Sequence, residues 1–98
     1  GARELLGELY GKYRLYIASN GTASVQRSRI DGADIGIFFD GVFISQELGA
    51  KKPDAEFFEK AFRAIPDFYK EETVMVGDSL TSDILGGRNA GVDTVWYN

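Results

Sequence analysis

The chain alternates between short apolar runs and longer segments in which apolar residues recur at helical spacing. The short runs are rich in β-branched and aromatic residues, which is typical of buried strands. The longer segments can serve as crossover helices, so the pattern predicts an α/β fold. We expect an open parallel sheet with right-handed connections over residues 1–98, without an internal domain boundary. Strands are predicted at residues 13–18, 42–44, 73–77 and 93–97.

Helices are predicted between these strands. One is expected to run to about Asp31, with a break at residues 31–34, and residues 45–50 are predicted to form a loop. Another helix begins behind Asp54, which can cap its first turn, and Pro66 stops it. The buried face of that helix follows the spacing of an amphipathic helix. It is predicted to consist of Phe58, Ala61, Phe62 and Ile65.

The last predicted helix follows Asp83 and contains two adjacent glycines, Gly86 and Gly87. A glycine in a helix interior costs about 1 kcal/mol relative to alanine. We interpret the pair as allowing close packing of the helix backbone, although a poorly formed helix without function has the same sequence. Gly91 is the predicted residue that ends this helix.

Composition excludes several classes of function. The chain has 98 residues and a formal net charge of -4, so it lacks the excess of basic residues that binding to a nucleic-acid polymer requires. It has no cysteine and no histidine, which excludes disulfides, thiolate chemistry and an imidazole base. No apolar run approaches the roughly 20 residues of a membrane span, and we expect a cytoplasmic protein.

The strongest candidate for chemistry is the loop after the strand at residues 73–77. Asp78 ends this strand, and Asp83 follows five positions later. Open α/β folds hold their ligands at the carboxyl ends of strands, and paired carboxylates suit a hard cation such as Mg²⁺. The alternative is a Gly-Asp turn followed by an acid that caps the next helix.

Two further segments can bind an anion. Ser19, Asn20 and Gly21 follow a strand and precede a helix, so Ser19 can donate to a phosphoryl oxygen while Gly21 lets backbone N–H groups approach it. These residues are equally common in turns and helix caps. Lys52 stands before Pro53 and can direct its ammonium group at an anion or a carboxylate. The alternative is a solvated surface lysine.

In this order, the segments 19–21, 52–53 and 77–83 resemble three motifs of the haloacid dehalogenase (HAD) superfamily. The resemblance covers nearly the whole chain and is greatest to the phosphatases with a helical cap, in their pyrimidine 5′-nucleotidase-like branch. It implies a Rossmann-like parallel sheet and a Mg²⁺-dependent hydrolase of small phosphomonoesters, with nucleoside monophosphates as one candidate class.

The resemblance also implies a role for each matched residue. Ser19 corresponds to the hydroxyl that binds the phosphoryl group, and Asn20 lines the same pocket, together with Gly21. Lys52 corresponds to the lysine that neutralises charge on the nucleophile and the phosphate. Asp78 corresponds to a Mg²⁺ ligand, and Asp83 supports the metal site through water or a hydrogen bond. All are expected to lie at one rim.

One departure from the family is large. Its catalytic nucleophile is the first aspartate of an Asp-x-Asp motif, and no aspartate precedes Ser19. The helical cap and the central strand of the family's sheet are also absent. The chain is therefore expected to be the C-terminal part of a core domain, inactive alone. Its partners are expected to be the N-terminal part of the parent protein, or further copies that associate through exposed strand edges.

Two other functions remain open at this point. A 2-haloacid dehalogenase belongs to the same superfamily but needs no Mg²⁺, so the acid at Asp78 disfavours it. A non-catalytic binding or interaction module is a second alternative, because a fold does not determine a function.

Overall fold

The computed structural model describes the backbone of residues 2–97 and the side chains of residues 4–97. The chain forms two compact units, Gly1–Glu47 and Leu48–Asn98. No helix in the described part of the chain combines the length and the apolar character needed to cross a membrane. The helices are α1 (Ala2–Leu9), α2 (Ala23–Ala33), α3 (Ser45–Leu48), α4 (Ala55–Ala64) and α5 (Leu85–Asn89), and the strands are β1 (Tyr16–Ser19), β2 (Gly41–Ile44), β3 (Val74–Gly77) and β4 (Asp93–Trp96).

In the first unit, β1 and β2 form a parallel pair in which Tyr16 lies opposite Gly41. A Cβ atom at Gly41 would lie 2.9 Å from the Tyr16 ring, so only glycine leaves room for that ring. The ring instead stacks on Phe43, with centroids 5.7 Å apart. This aromatic contact across the pair supports the register, since cross-strand side-chain contacts are a main source of sheet stability.

Two expectations for residues 31–50 are wrong. Helix α2 does not break at Asp31 but continues to Ala33, and Asp34 ends it in the left-handed region at φ 56°. Its N–H donates to the carbonyl of Asp31, which keeps the last turn closed. Residues 45–50 are not wholly a loop, because α3 forms one helical turn before Gly49 adopts φ 74°.

In the second unit, β3 and β4 form a parallel pair, and α5 lies against it. A Cβ atom at Gly87 would lie 2.8 Å from the Thr94 side chain and 3.0 Å from that of Met75. A Cβ atom at Gly86 would lie 2.7 Å from the ring of Phe58. The close packing predicted for the two glycines is therefore confirmed.

Helix α5 ends as predicted. Gly91 has φ 88° and donates its N–H to the carbonyl of Arg88, while Val92 donates to Gly87. These two bonds form a Schellman motif, which satisfies carbonyls at the end of the helix. Because Val92 is only 7% exposed, the motif also returns the chain to the core.

The apolar face of α4 is partly as predicted. Phe58 and Ala61 are buried, whereas Phe62 and Ile65 are half-buried. Phe57, which the pattern did not indicate, is fully buried and meets Phe58 edge to face with ring centroids 5.4 Å apart. Burial of such a ring contributes about 1.5–3 kcal/mol. Asp54 occupies the N-cap position of α4, but its side chain makes no capping hydrogen bond.

The prediction that β3 is a buried strand is wrong for this chain. Val74 and Val76 are more than half exposed, as is Val95 on β4. Alternate side chains of a strand point to opposite faces, and Met75 points to the face that α5 covers. The described strands form two two-stranded parallel sheets rather than one sheet. The α/β class and the parallel pairing are confirmed.

Replacing Gly86 by alanine should destabilise the second unit. The new methyl group would overlap the buried Phe58 ring, and overpacking costs about 1–3 kcal/mol. That cost should exceed the gain of about 1 kcal/mol from removing a helical glycine. The free energy of unfolding in urea measures the difference.

Gly32→Ala is the matched control. Gly32 lies in α2, and an added Cβ atom would meet nothing within 4 Å. This variant should be as stable as the original chain or more stable by up to about 1 kcal/mol. Equal stability changes for Gly86→Ala and Gly32→Ala would contradict the packing account.

Candidate functional site

A tight turn follows β3 and holds Asp83 close to the end of the strand. The carbonyl of Ser79 accepts hydrogen bonds from the backbone N–H groups of Asp83 and Ile84, both at 3.1 Å. The hydroxyl of Ser79 accepts a further hydrogen bond from the N–H of Ser82 at 3.1 Å. These bonds begin the π-helical turn Leu80–Ile84. Single π-helical turns of this kind are frequent at functional sites.

A buried ion pair joins Lys52 to Asp83. The Nζ atom of Lys52 lies 2.5 Å from Oδ1 of Asp83, and the two residues are 9% and 6% exposed. The other carboxylate oxygen, Oδ2, accepts a hydrogen bond from the backbone N–H of Ser79 at 3.3 Å. Lys52 is therefore not the solvated surface lysine of the alternative interpretation. Each charge is buried only because the other compensates it.

Gly77 makes room for this ion pair. A Cβ atom at this position would overlap the carboxylate of Asp83. Gly77 also pairs with Trp96 in the register of β3 and β4. A glycine at the end of β3 is therefore a steric requirement of the Lys52–Asp83 pair, and no side chain can replace it without moving Asp83.

Asp78 differs from Asp83 in every respect that matters for metal binding. Its side chain is exposed, and among the side chains of residues 4–97 and the described backbone it has no hydrogen-bond or ion-pair partner. Its backbone carbonyl accepts a bond from the indole Nε1–H of Trp96 at 3.1 Å. The two predicted acids thus differ in role. Both carboxylate oxygens of Asp83 accept hydrogen bonds from the protein, whereas those of Asp78 accept none from the described residues.

The donor set fits Mg²⁺ in one limited way. Among the described residues, no group of three or more acidic, histidine or cysteine side chains forms a ready cage. Mg²⁺ commonly keeps several waters and meets the protein through one or two carboxylates, so the single exposed carboxylate of Asp78 is compatible with it. Asp83 would act on such a site only through the backbone it holds.

The predicted phosphate-binding loop lies in the first unit. Ser19 is half-buried at the end of β1, and its hydroxyl donates to the carbonyl of Asn20 at 3.4 Å. Gly21 has φ 141°, a conformation that favours glycine. Its N–H, which we expected to face an anion, donates to the hydroxyl of Ser45 at 2.8 Å. Asn20 is exposed.

Sequence reasoning missed the residues that fix this loop. The Gln46 side chain accepts a bond from the N–H of Ala23 at 2.6 Å, in the first turn of α2. An ion pair at 2.8 Å joins Arg27 to Glu47 on the surface, and the hydrogen bond that Arg27 donates to Glu47 raises the pKa of Arg27. The serine and acid of α3 could have indicated a helix start, but their partners, Gly21 before α2 and Arg27 within it, are 20 or more residues away.

The predicted site residues thus fall into two groups. Ser19, Asn20 and Gly21 belong to the first unit, whereas Lys52, Asp78 and Asp83 belong to the second. That all of them share one rim stays a prediction.

Comparisons with known proteins give a consistent result. The profile described as haloacid dehalogenase-like hydrolase matches residues 1–97. The pyrimidine 5′-nucleotidase PynA of Streptococcus pneumoniae is 50% identical over 99 residues, covering 100% of this chain and 42% of PynA. The HAD-hydrolase YfnB of Bacillus subtilis, solved bound to magnesium, has a TM-score of 0.98 at 42% identity, covering 100% of this chain and 43% of that one.

A 2-haloacid dehalogenase from Pseudomonas syringae pv. Tomato is also similar in structure. Its TM-score is 0.82 at 30% identity, covering 98% of this chain and 39% of that one. The chain thus spans about two fifths of the length of these relatives.

Asp83→Ala should destabilise the chain strongly. It removes the carboxylate that compensates the charge of the buried Lys52 ammonium group, which costs about 3–5 kcal/mol. Chemical denaturation measures this loss. Glu56→Ala is the control, since the Glu56–Lys60 pair is largely exposed and should contribute less than about 1 kcal/mol. Similar losses in the two variants would show that the Lys52–Asp83 pair is not important for stability.

Proposed function

Because the chain belongs to the haloacid dehalogenase-like hydrolase family, we propose that it is part of a Mg²⁺-dependent hydrolase of small phosphomonoesters. The observation that carries the proposal is the arrangement around the turn after β3. A buried Lys52–Asp83 pair fixes the backbone there, and the exposed carboxylate of Asp78 stands next to it. A fixed backbone with one uncommitted acid is suited to hold a cation beside a substrate.

In this proposal Asp78 is the protein ligand of the cation. Mg²⁺, when bound, supplies positive charge that stabilises phosphoryl oxygens in the transition state. Asp83 holds the N–H of Ser79 and so fixes the peptide that follows Asp78. Lys52 adds positive charge from the protein side, and Ser19 with Asn20 contributes donors for the phosphoryl group, in a loop whose turn Gly21 permits. The nucleophile is an aspartate upstream of this chain.

For the substrate, we propose nucleoside monophosphates as the first class to test. The support is the 50% identity to PynA, which is a pyrimidine 5′-nucleotidase. This support comes from the sequence of the whole chain. The proposed site residues would contact the phosphoryl group of a substrate and not its base. A phosphate ester that lacks a base is therefore the informative comparison substrate.

A 2-haloacid dehalogenase is the second candidate, and the similarity to the Pseudomonas syringae structure favours it. The two candidates differ in what they require of Asp78. A phosphomonoester hydrolase uses it to hold a cation, whereas the dehalogenase reaction needs no Mg²⁺. Sensitivity of the activity to EDTA separates them.

The protein produced from its natural reading frame should release phosphate from uridine 5′-monophosphate with Mg²⁺ present, and EDTA should abolish the release. Asp78→Asn should lower kcat/KM at least about 100-fold, since it removes charge stabilisation in the transition state. Asp93→Asn, an exposed acid at the opposite end of the β3–β4 pair, should leave the activity unchanged.

Three outcomes would contradict the assignment. Full Mg²⁺-dependent turnover in Asp78→Asn would exclude Asp78 as the cation ligand. Halide release from a 2-haloacid that persists in EDTA would favour the dehalogenase. Release of neither phosphate nor halide, by a protein that binds a phosphate ester, would favour the non-catalytic module.

We further propose that the exposed valines of the β3–β4 pair contact other polypeptide, either the remainder of the parent protein or another copy of this chain. Val74, Val76 and Val95 are each more than half exposed and lie on the face that α5 does not cover. Contiguous exposed apolar groups of this kind commonly mark contact surfaces.

The 98-residue chain alone should therefore associate as its concentration rises. Val76→Thr with Val95→Thr keeps β-branched side chains and makes the face more polar, so association should weaken about tenfold or more. Sedimentation velocity over a concentration series measures it, with Val25→Thr on α2 as the control. A monomer at every concentration would overturn the contact between copies and leave only the contact with the remainder of the parent protein.

A further inference from the structure

The indole group of Trp96 contacts the turn that carries Asp78. Trp96 ends β4 directly opposite Gly77. Its Nε1–H donates to the backbone carbonyl of Asp78 at 3.1 Å, and the N–H of Tyr97 donates to the carbonyl of Gly77 at 2.8 Å. The end of β4 thus holds two successive carbonyl groups of the strand end that presents the proposed cation ligand.

The peptide on the other side of Asp78 is held by a different group. The N–H of Ser79 donates to the buried carboxylate of Asp83 at 3.3 Å. The Asp78–Ser79 peptide therefore has its carbonyl fixed by Trp96 and its N–H fixed by Asp83. A peptide unit is planar, so two bonds at its two ends determine its orientation.

We propose that Trp96 is a positioning residue that determines where the Asp78 carboxylate meets a cation. This inference rests on the proposed function of Asp78 as the cation ligand. The orientation of the Asp78–Ser79 peptide limits ψ of Asp78, and with it the directions open to the side chain. Loss of the indole hydrogen bond frees that peptide to rotate, and the carboxylate then spends less time in the position that binds the cation.

A role in core packing is a poor explanation for this tryptophan. Trp96 is 51% exposed, and neighbouring Tyr97 is 56% exposed. An indole N–H can only donate, and here its acceptor is the backbone carbonyl of Asp78, the acid of the turn whose side chain makes no hydrogen bond with the described residues. The exposed half of the indole adds little to stability, so its hydrogen bond is the feature that a substitution would test.

The experiment titrates the protein from its natural reading frame with MgCl2 alone. Trp96→Phe retains an aromatic ring and removes the donor. The loss of one ordinary hydrogen bond should weaken Mg²⁺ binding about three- to tenfold. Isothermal titration calorimetry gives the Kd. Tyr97→Phe is the matched control, since its backbone bond to Gly77 is retained, and it should bind Mg²⁺ like the original protein.

A spectroscopic readout distinguishes positioning from a general loss of structure. In ¹⁵N-labelled protein, the indole N–H resonance that disappears in Trp96→Phe belongs to Trp96. Mg²⁺ should shift this resonance in the original protein, and should not shift it in Asp78→Asn. In steady-state kinetics, Trp96→Phe should raise the Mg²⁺ concentration for half-maximal rate while kcat at saturating Mg²⁺ stays within about twofold.

The outcomes separate the two proposals. If the original protein shows no Mg²⁺-dependent shift and no Mg²⁺ binding, the cation site at Asp78 is overturned, and the role of Trp96 with it. If binding depends on Asp78 but Trp96→Phe has the same Kd as the original protein, only the role of Trp96 is overturned. A Kd raised equally by Trp96→Phe and Tyr97→Phe also overturns it.

Discussion

The buried pair between Lys52 and Asp83 is the interaction on which the second unit's candidate site depends. Neither charge would be stable at this buried position without the other, because the desolvation of a single ion costs several kcal/mol. The two residues are 31 positions apart, so their contact ties the segment before α4 to the turn before α5. The pair therefore fixes the position of the turn, and the chemistry proposed for the turn requires that the ion pair remains formed.

The same ion pair explains why the two acids of the turn have different roles. Asp83 is buried and fully occupied, so it can shape the site only through the backbone. Asp78 is exposed to solvent. Its own carbonyl accepts a hydrogen bond from Trp96, and the N–H of the next residue, Ser79, donates to Asp83. Rigid backbone and uncommitted carboxylate are complementary, because a ligand held in one place loses less entropy when it binds.

Much of the fold could be predicted from the sequence because it follows from local periodicity. Family membership also followed, since ordered motifs such as the lysine before Pro53 and the Gly77–Asp78 step are local. The exposure of Val76 could not be predicted, because a β-branched run has the same pattern whether or not something covers it. The bonds from Gly21 to Ser45 and from Trp96 to Asp78 join residues far apart in sequence, and no local pattern encodes them.

The two glycines of α5 bear on how a lineage of this chain can change. The helix backbone approaches Phe58, Met75 and Thr94 so closely that any side chain at Gly86 or Gly87 meets occupied space. In α2, by contrast, Gly32 faces open space. Sequence drift should consequently be uneven, with wide latitude on α2 and almost none where α5 crosses the β3–β4 pair.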